Sequence, residues 1–409
     1  MIRKVLRRAC LLLGGMALLT SVLSPVYAEP AAGSKKPPAL DTQAETAALI
    51  DVTSGRLLYS KQGDKRMRIA STTKIMTAIL AVEYGHLSDK VTVTSNASGK
   101  EGSSIYLKAG EEMSLNDLLY GLMLRSGNDA ATAIAEHVGG SQEGFVYLMN
   151  QKAEELGMVG SHFANPSGLD AEDHYSTAHD MAKLAAYALK NPLFREIVKT
   201  KSKRISREDE PWDTVWTNKN KMLSLYPGSD GVKTGFTKLS RRCLVSSATR
   251  NGQQLAAVTL NDGNDWADHS RMLDYGFVNY PLEVVVQAGE KVGEGFAASE
   301  EFAYPLTKGE AADIRRTLQP AAVKSLEYRL GKRGDLVLHL NGERIGQVSL
   351  KELPKPKIQS SSGTKGSFAN EDVGESNGSS EAKDNSWMNR FRIAFTDVWS
   401  ALIPGERKK

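Results

Sequence analysis

Residues 68–85 read RIASTTKIMTAILAVEYG. Ser71 and Lys74 stand three apart where an apolar run with helical period begins. On a helix, positions i and i+3 share a face. A hydroxyl and an amine therefore meet one turn apart, at the point where the helix enters a core. Two readings are open: a helix cap beside a surface lysine, or a nucleophile beside its base. Spacing does not choose between them. The same S-x-x-K pattern recurs at Ser362/Lys365 and Ser380/Lys383, in polar sequence with little apolar content. The choice rests on context.

Upstream of that helix, TAALIDVTSGRLLYSK is two apolar runs around Ser54-Gly55 and predicts a β-hairpin. The helix itself is expected over 71–84, capped by Ser71 or Thr72. Downstream, MSLNDLLYGLMLRSGNDAATAIAEHVGG predicts two helices broken at Ser126-Gly127-Asn128. Ser114 and Asp117 form a cap for the first, and Gly139-Gly140 stops the second. Residues 141–157 and 177–190 are further helix candidates. RCLVSSATRNGQQLAAVTLN then gives a second hairpin, around Asn251-Gly252. Two hairpins thus bracket a mostly helical middle. That order predicts an α/β fold of the α+β kind, an antiparallel sheet built from both ends with a helical region against it, over residues 46–283.

The flanks differ in texture. Residues 29–45 read as a tether, and 284–353 as a small β-rich domain of short alternating strands with glycine turns. Residues 354–385 are Ser, Gly, Lys and Glu, the composition of a disordered linker. In 386–409, Trp387, Phe391, Phe395, Val398 and Leu402 recur at spacings of three and four, followed by Arg407, Lys408 and Lys409. This predicts an amphipathic helix suited to a membrane surface and too short to span it.

The chain has 409 residues, 41% of them hydrophobic and 24% charged, enough for a sizeable core. Residues 1–28 have a basic start, an apolar stretch and small residues before Ala28, the pattern of a secretory signal peptide. The protein is expected to be exported and to lie peripherally on the outer face of the cell membrane. Removing residues 1–28 takes four positive charges, so the formal net charge falls from +4 to 0. The whole-chain pI of 8.8 then gives no support for a nucleic-acid partner. The same cut removes Cys10 and leaves Cys243 alone, so no internal disulfide is expected. The seven histidines show no H-x-H or H-E-x-x-H spacing, and no phosphate loop or dinucleotide fingerprint occurs. No metal or other cofactor is expected.

Three short motifs carry the chemistry: Ser71-Thr-Thr-Lys74, Ser126-Gly-Asn128 and Lys233-Thr234-Gly235. Each is weak alone; S-x-N recurs at Ser114-Leu-Asn116. Together, in this order and in these local structures, they favour the nucleophile reading. A serine needs a neighbouring base, and a lysine serves only when neutral. Burial and a second cation lower a lysine pKa, and Lys233 is a candidate for that cation. Ser126 can relay a proton to a leaving amine. Asn128 can hold Lys74 and a substrate amide. Lys233 and Thr234 can bind a carboxylate. Gly235 lets a substrate strand approach the backbone. The amides of Ser71 and Phe236 are candidates for an oxyanion hole, worth ~3 kcal/mol per donor.

This motif set is that of penicillin-binding proteins and serine β-lactamases. The chain resembles the low-molecular-mass penicillin-binding proteins, serine-type D-alanyl-D-alanine carboxypeptidases, over nearly all of its mature length. IASTTKIMTA, GSSIYL, LMLRSGNDAATAIAEHVGGS, HFANPSGLD, YSTAHDMAKL and DGVKTGFT carry the resemblance. It implies a β-lactamase/transpeptidase-like fold, an acyl-enzyme on Ser71 and release of terminal D-alanine from peptidoglycan stem peptides. It also implies β-lactam antibiotics as covalent inhibitors. WTNKNKMLSLY and RRCLVSSATRNGQQLAAVTLND resemble the sporulation-associated members. The chain departs from many relatives at Ser167, where they carry His. It departs from some at Lys219, where they carry Arg, and near Asp265, where they carry another Arg. Rival readings are a β-lactamase, a D,D-endopeptidase using the same residues and a non-catalytic wall-binding protein. No E-x-x-L-N loop is present to deacylate a β-lactam, and Glu172 is a candidate only by its proximity to Gly168-Leu169-Asp170.

Overall fold

The computed structural model describes residues 37–207 and 211–353. The expected signal peptide, the start of the tether, the linker 354–385 and the amphipathic helix 386–409 lie outside the described residues. The described residues belong to one compact unit.

The first hairpin forms as expected, from β1 (Thr46–Asp51) and β2 (Leu57–Lys61). Two short hairpins follow within the helical region, β3 (Lys90–Thr92) with β4 (Glu112–Ser114) and β5 (Ser202–Ile205) with β6 (Thr214–Thr217). The late strands are β7 (Ser229–Thr237), β8 (Arg241–Arg250) and β9 (Gln253–Leu260). Asn251 (φ 50°) and Gly252 (φ 81°) make the β8–β9 turn with the positive angles that a tight hairpin requires. The five long strands join in the order β2-β1-β9-β8-β7, all antiparallel. The sheet is therefore built from both ends of the region, and β7 is an edge strand.

Both sheet faces are covered, and the two-residue period of a strand divides β1 between them. Ala48 and Ile50 join the larger core with the helical region. Ala47 and Leu49 join a second core with Met272 and Leu273 of the Asp265–Asn279 helix. That is why TAALID reads as a continuous apolar run rather than an alternating one. In the helical region, α1 (Lys74–Tyr84) is buried over Lys74–Ala81. Around it stand α2 (Leu115–Tyr120), α3 (Asn128–Gly139), α4 (Gln142–Glu155), α5 (Ala178–Lys190) and α6 (Pro192–Lys199). Ser114 caps α2 by accepting from the Asp117 amide, and Gly140 ends α3 in the left-handed conformation.

Two local expectations are corrected. Neither Ser71 nor Thr72 caps α1 with its side chain. Residues Ala70–Thr73 form a 3-10 turn, and the α-helix starts at Lys74. The hydroxyls of Thr72 and Thr73 turn back to the Ile69 and Ala70 carbonyls, at 2.6 and 2.8 Å. A second correction falls after α2. Gly121–Arg125 is a π-helical turn that ends at Ser126 with φ 67°. Such turns interrupt the α-helical ladder and cluster at functional sites.

Residues 282–352 carry seven strands, arranged as a five-stranded sheet and a two-stranded ribbon. Their own core gathers Val286, Ala298, Leu336, Leu338, Val348 and Leu350. Arg56, beside the first hairpin turn, links this part to the first. It pairs with both Glu310 carboxylate oxygens, at 3.0 and 2.6 Å, and donates to the Pro305 carbonyl at 2.6 Å.

Candidate active site

The three motifs arrive from three different elements. Ser71 lies in the 3-10 turn, and Lys74 opens α1. Ser126 ends the π-helical turn, and Asn128 opens α3. Lys233, Thr234, Gly235 and Phe236 lie within β7. Ser71, Ser126, Thr234, Gly235 and Phe236 line one cleft of about 400 Å³, together with Ser103, Lys219, Arg242, Cys243, Asp265 and Trp266. A larger cleft, of about 590 Å³, lies between β3 and the α3–α4 junction. There Glu136 already accepts from Thr94 and Asn96, and none of the three motifs reaches it.

Lys74 is fully buried. Its Nζ lies 2.7 Å from Asn128 Oδ1, 2.5 Å from the Ser167 carbonyl and 3.2 Å from Ser71 Oγ. Burial, reinforced by the Lys233 and Lys219 cations, holds its pKa well below the usual lysine range. A neutral amine has two N–H groups and one lone pair. The two carbonyl-type oxygens use both N–H groups, which leaves the lone pair for the Ser71 hydroxyl. Lys233 is also buried and donates to the Thr234 carbonyl at 2.8 Å. Burial, then Lys219, brings its pKa down to about 7. Lys219 donates to Ser103 Oγ at 3.1 Å on the opposite cleft wall.

Gly235 runs close to the serine turn. A Cβ there would lie 3.1 Å from the Ser71 amide nitrogen and 3.2 Å from Ala70 Cβ. The strand thus packs tightly against the serine turn, and a side chain there would have to push its neighbours back by a few tenths of an ångström. Arg242 on β8 donates to both Asp265 carboxylate oxygens, at 3.0 and 2.5 Å. Asp265, near which the resemblance leads us to expect a departure, is thus paired with a guanidinium from a neighbouring strand. Ser167 contributes its backbone carbonyl to Lys74, a contact that does not depend on the side chain replacing histidine. Glu172 is exposed. Cys243 is buried, as expected of a structural thiol, and burial pushes its pKa up to about 12.

One residue with a direct hold on the serine turn had no spacing to reveal it. His174 is buried, and its Nδ1 accepts from the Ala164 amide at 3.0 Å. The neutral ring therefore carries its proton on Nε2, which donates to Thr73 Oγ1 at 2.8 Å. Thr73 Oγ1 passes the chain on to the Ala70 carbonyl at 2.8 Å. Ala70 has φ 45°, a left-handed angle that costs an L-residue ~1–2 kcal/mol. Gly168, at φ 83°, presses the same loop onto Ala70; a Cβ there would lie 1.9 Å from the Ala70 carbonyl oxygen. Burial lowers the His174 pKa to about 4, so the ring stays neutral at ordinary pH.

Comparison with known proteins identifies the family. The family model for peptidase S11, D-alanyl-D-alanine carboxypeptidase, matches residues 31–264. D-alanyl-D-alanine carboxypeptidase DacF of Bacillus subtilis is 35% identical over 364 residues, covering 83% of this chain and 92% of that protein. DacC of Escherichia coli, also a D-alanyl-D-alanine carboxypeptidase, is 31% identical, covering 74% of this chain and 81% of its own length. The crystal structure of penicillin-binding protein 5 from Haemophilus influenzae superposes with a TM-score of 0.64 at 27% identity, over 78% of this chain and 98% of that one. The chain belongs to the peptidase S11 family of serine D-alanyl-D-alanine carboxypeptidases, which act on peptidoglycan.

Loss of the His174–Thr73 link should lower kcat for D-alanine release ~10- to 100-fold with little change in KM, because a small misplacement suffices. Thr73→Val and His174→Leu should both show this in steady-state kinetics, with unchanged circular dichroism. Thr73→Ser, which restores the hydroxyl, should recover most of the rate. Equal losses in Thr73→Ser and Thr73→Val would remove the hydroxyl from the account.

Proposed function

We propose that Ser71 is the acyl-ester nucleophile and Lys74 its base in cleaving the terminal D-alanine from peptidoglycan stem pentapeptides. The Lys74 contacts carry this reading: two oxygens take its N–H groups and its third contact is Ser71 Oγ. The Lys74 lone pair takes the Ser71 proton as Oγ bonds to the carbonyl carbon of the penultimate D-alanine. The amides of Ser71 and Phe236 receive the charge on the carbonyl oxygen. The C–N bond then breaks, and Ser126 relays the proton from Lys74 to the departing amine. Asn128 keeps Lys74 in place through its Oδ1. Lys233 and Thr234 hold the carboxylate of the departing D-alanine. Water, deprotonated by Lys74, attacks the ester carbonyl, and Ser71 leaves with the proton. A β-lactam enters the same path and stays attached at the ester, because its leaving nitrogen remains tethered to the acyl group.

The deciding experiment is D-alanine release from a soluble pentapeptide ending in D-Ala-D-Ala, with the parent beside Ser71→Ala. Release by the parent alone, with penicillin labelling lost in the variant, is the expected outcome. Labelling of a folded Ser71→Ala protein would sink the assignment.

The lysines also set the pH profile. Lys74 works neutral, so kcat/KM falls as pH drops through its lowered pKa. Lys233 works charged, so kcat/KM falls again as pH rises through about 7 in the free enzyme. Lys233→Arg keeps its charge and should shift the alkaline limb upward; an unmoved limb would assign it to another group.

We further place the enzyme on the outer face of the cell membrane, held by residues 386–409. The three-and-four spacing of their aromatic and aliphatic residues supports this. Deleting 386–409 should move the protein to the soluble fraction with pentapeptide hydrolysis retained. Continued membrane association would transfer the anchor to another segment.

A further inference from the structure

Tyr106 stands out among the described residues. Its side chain is 81% exposed, yet its backbone holds φ 61°, an angle that aromatic residues rarely adopt. Backbone strain of this kind persists only where the surroundings impose it. Here they do so from two sides. On the inner side, Asp129, next to Asn128, the partner of Lys74, accepts from the Ile105 and Leu107 amides at 3.1 and 3.0 Å. On the outer side, Arg207 donates to the Ile105 and Tyr106 carbonyls at 3.1 and 3.0 Å. Arg207 is itself fixed by a buried, two-point pair with Glu111, at 2.8 and 2.7 Å.

The segment that delivers Arg207 is held in turn: Ile205 pairs with Thr214, and Ser206 donates to Asp213 at 2.6 Å. An open ring thus stands on an anchored backbone.

We propose that Tyr106 is a stacking platform for a sugar ring of the glycan strand that bears the stem peptide. The aromatic face carries negative charge density and suits the polarised C–H face of a pyranose. The reach is right. Ser103 lines the cleft, and three residues of chain place Tyr106 within ~11 Å of it. A stem of four residues between the sugar and the cleaved bond extends ~14 Å. The rigid backbone keeps the ring where an arriving sugar meets it without an ordering cost. The platform rests on the carboxypeptidase activity only for its occupant; its geometry is independent of the chemical step.

The test compares two substrates with the same stem: free pentapeptide and uncross-linked glycan strands carrying it. Tyr106→Asn accepts the left-handed backbone and removes the ring; Tyr106→Phe keeps the ring. For Tyr106→Asn, kcat/KM on glycan strands should fall ~3- to 10-fold relative to the free pentapeptide. Tyr106→Phe and the distant control Tyr84→Asn should match the parent. In the Ser71→Ala background, which needs no turnover, Tyr106→Asn should reduce co-sedimentation with glycan strands stripped of peptide. Equal losses on both substrates would show that the loop only supports the cleft and would overturn the proposal. Unchanged glycan-strand hydrolysis and co-sedimentation in Tyr106→Asn would overturn it as well.

Discussion

The burial of the Lys74 amine is the constraint around which the site is arranged. An ammonium ion in that position would need full compensation by charge or hydrogen bonds. The surroundings offer three oxygens, and nearby the Lys233 and Lys219 cations outweigh the Asp129 carboxylate. That combination favours the uncharged amine and gives it a direction. Each neighbour has a place imposed by this need. Asn128 sits at the first turn of α3, where its Oδ1 meets Nζ. The Ser167 carbonyl is delivered by a loop that also accepts from Thr77 through the Pro166 carbonyl, at 2.6 Å. The helix begins at Lys74 itself, so the residues before it are free to form the tighter turn that presents Ser71.

Strain gathers in the same region. Of five described residues other than glycine and asparagine with left-handed backbone angles, three are Ala70, Tyr106 and Ser126. Each belongs to a segment that forms or borders the cleft, and each such residue costs ~1–2 kcal/mol. The cost is offset by bonds from remote sequence: His174 through Thr73 for Ala70, and Arg207 for Tyr106. The site is thus held in shape by the rest of the fold rather than by its own local preferences.

Much of this was legible in the sequence. The two hairpins, the Ser114 cap and the break at Ser126 follow from turn chemistry and periodicity, which are local. The three motifs were legible because each is a short fixed spacing. What was not legible is what crosses between segments. A helix cap at Ser71 was the reasonable local expectation; it failed because Gly168 and His174, about a hundred residues on, impose another turn. His174 has no partner spacing, and its value depends on Ala164 and Thr73 reaching it from two directions. Arg242 was equally hidden. Its place beside Asp265 depends on the β8–β9 register and the start of the Asp265–Asn279 helix, not on any motif.

The pairing of Thr46 with Leu260 has a consequence for the order of events in synthesis. β1 lies inside the sheet, and one of its two neighbours is among the last strands of the region to be made. Until then the first hairpin has an open edge and an uncovered face. Such non-local pairing makes folding slow. A ribosome must therefore finish most of this region before the molecule can close, and the cleft cannot assemble ahead of the sheet. In a family whose members act on peptidoglycan outside the cytoplasm, this topology leaves the chain open until nearly the whole region is available to it.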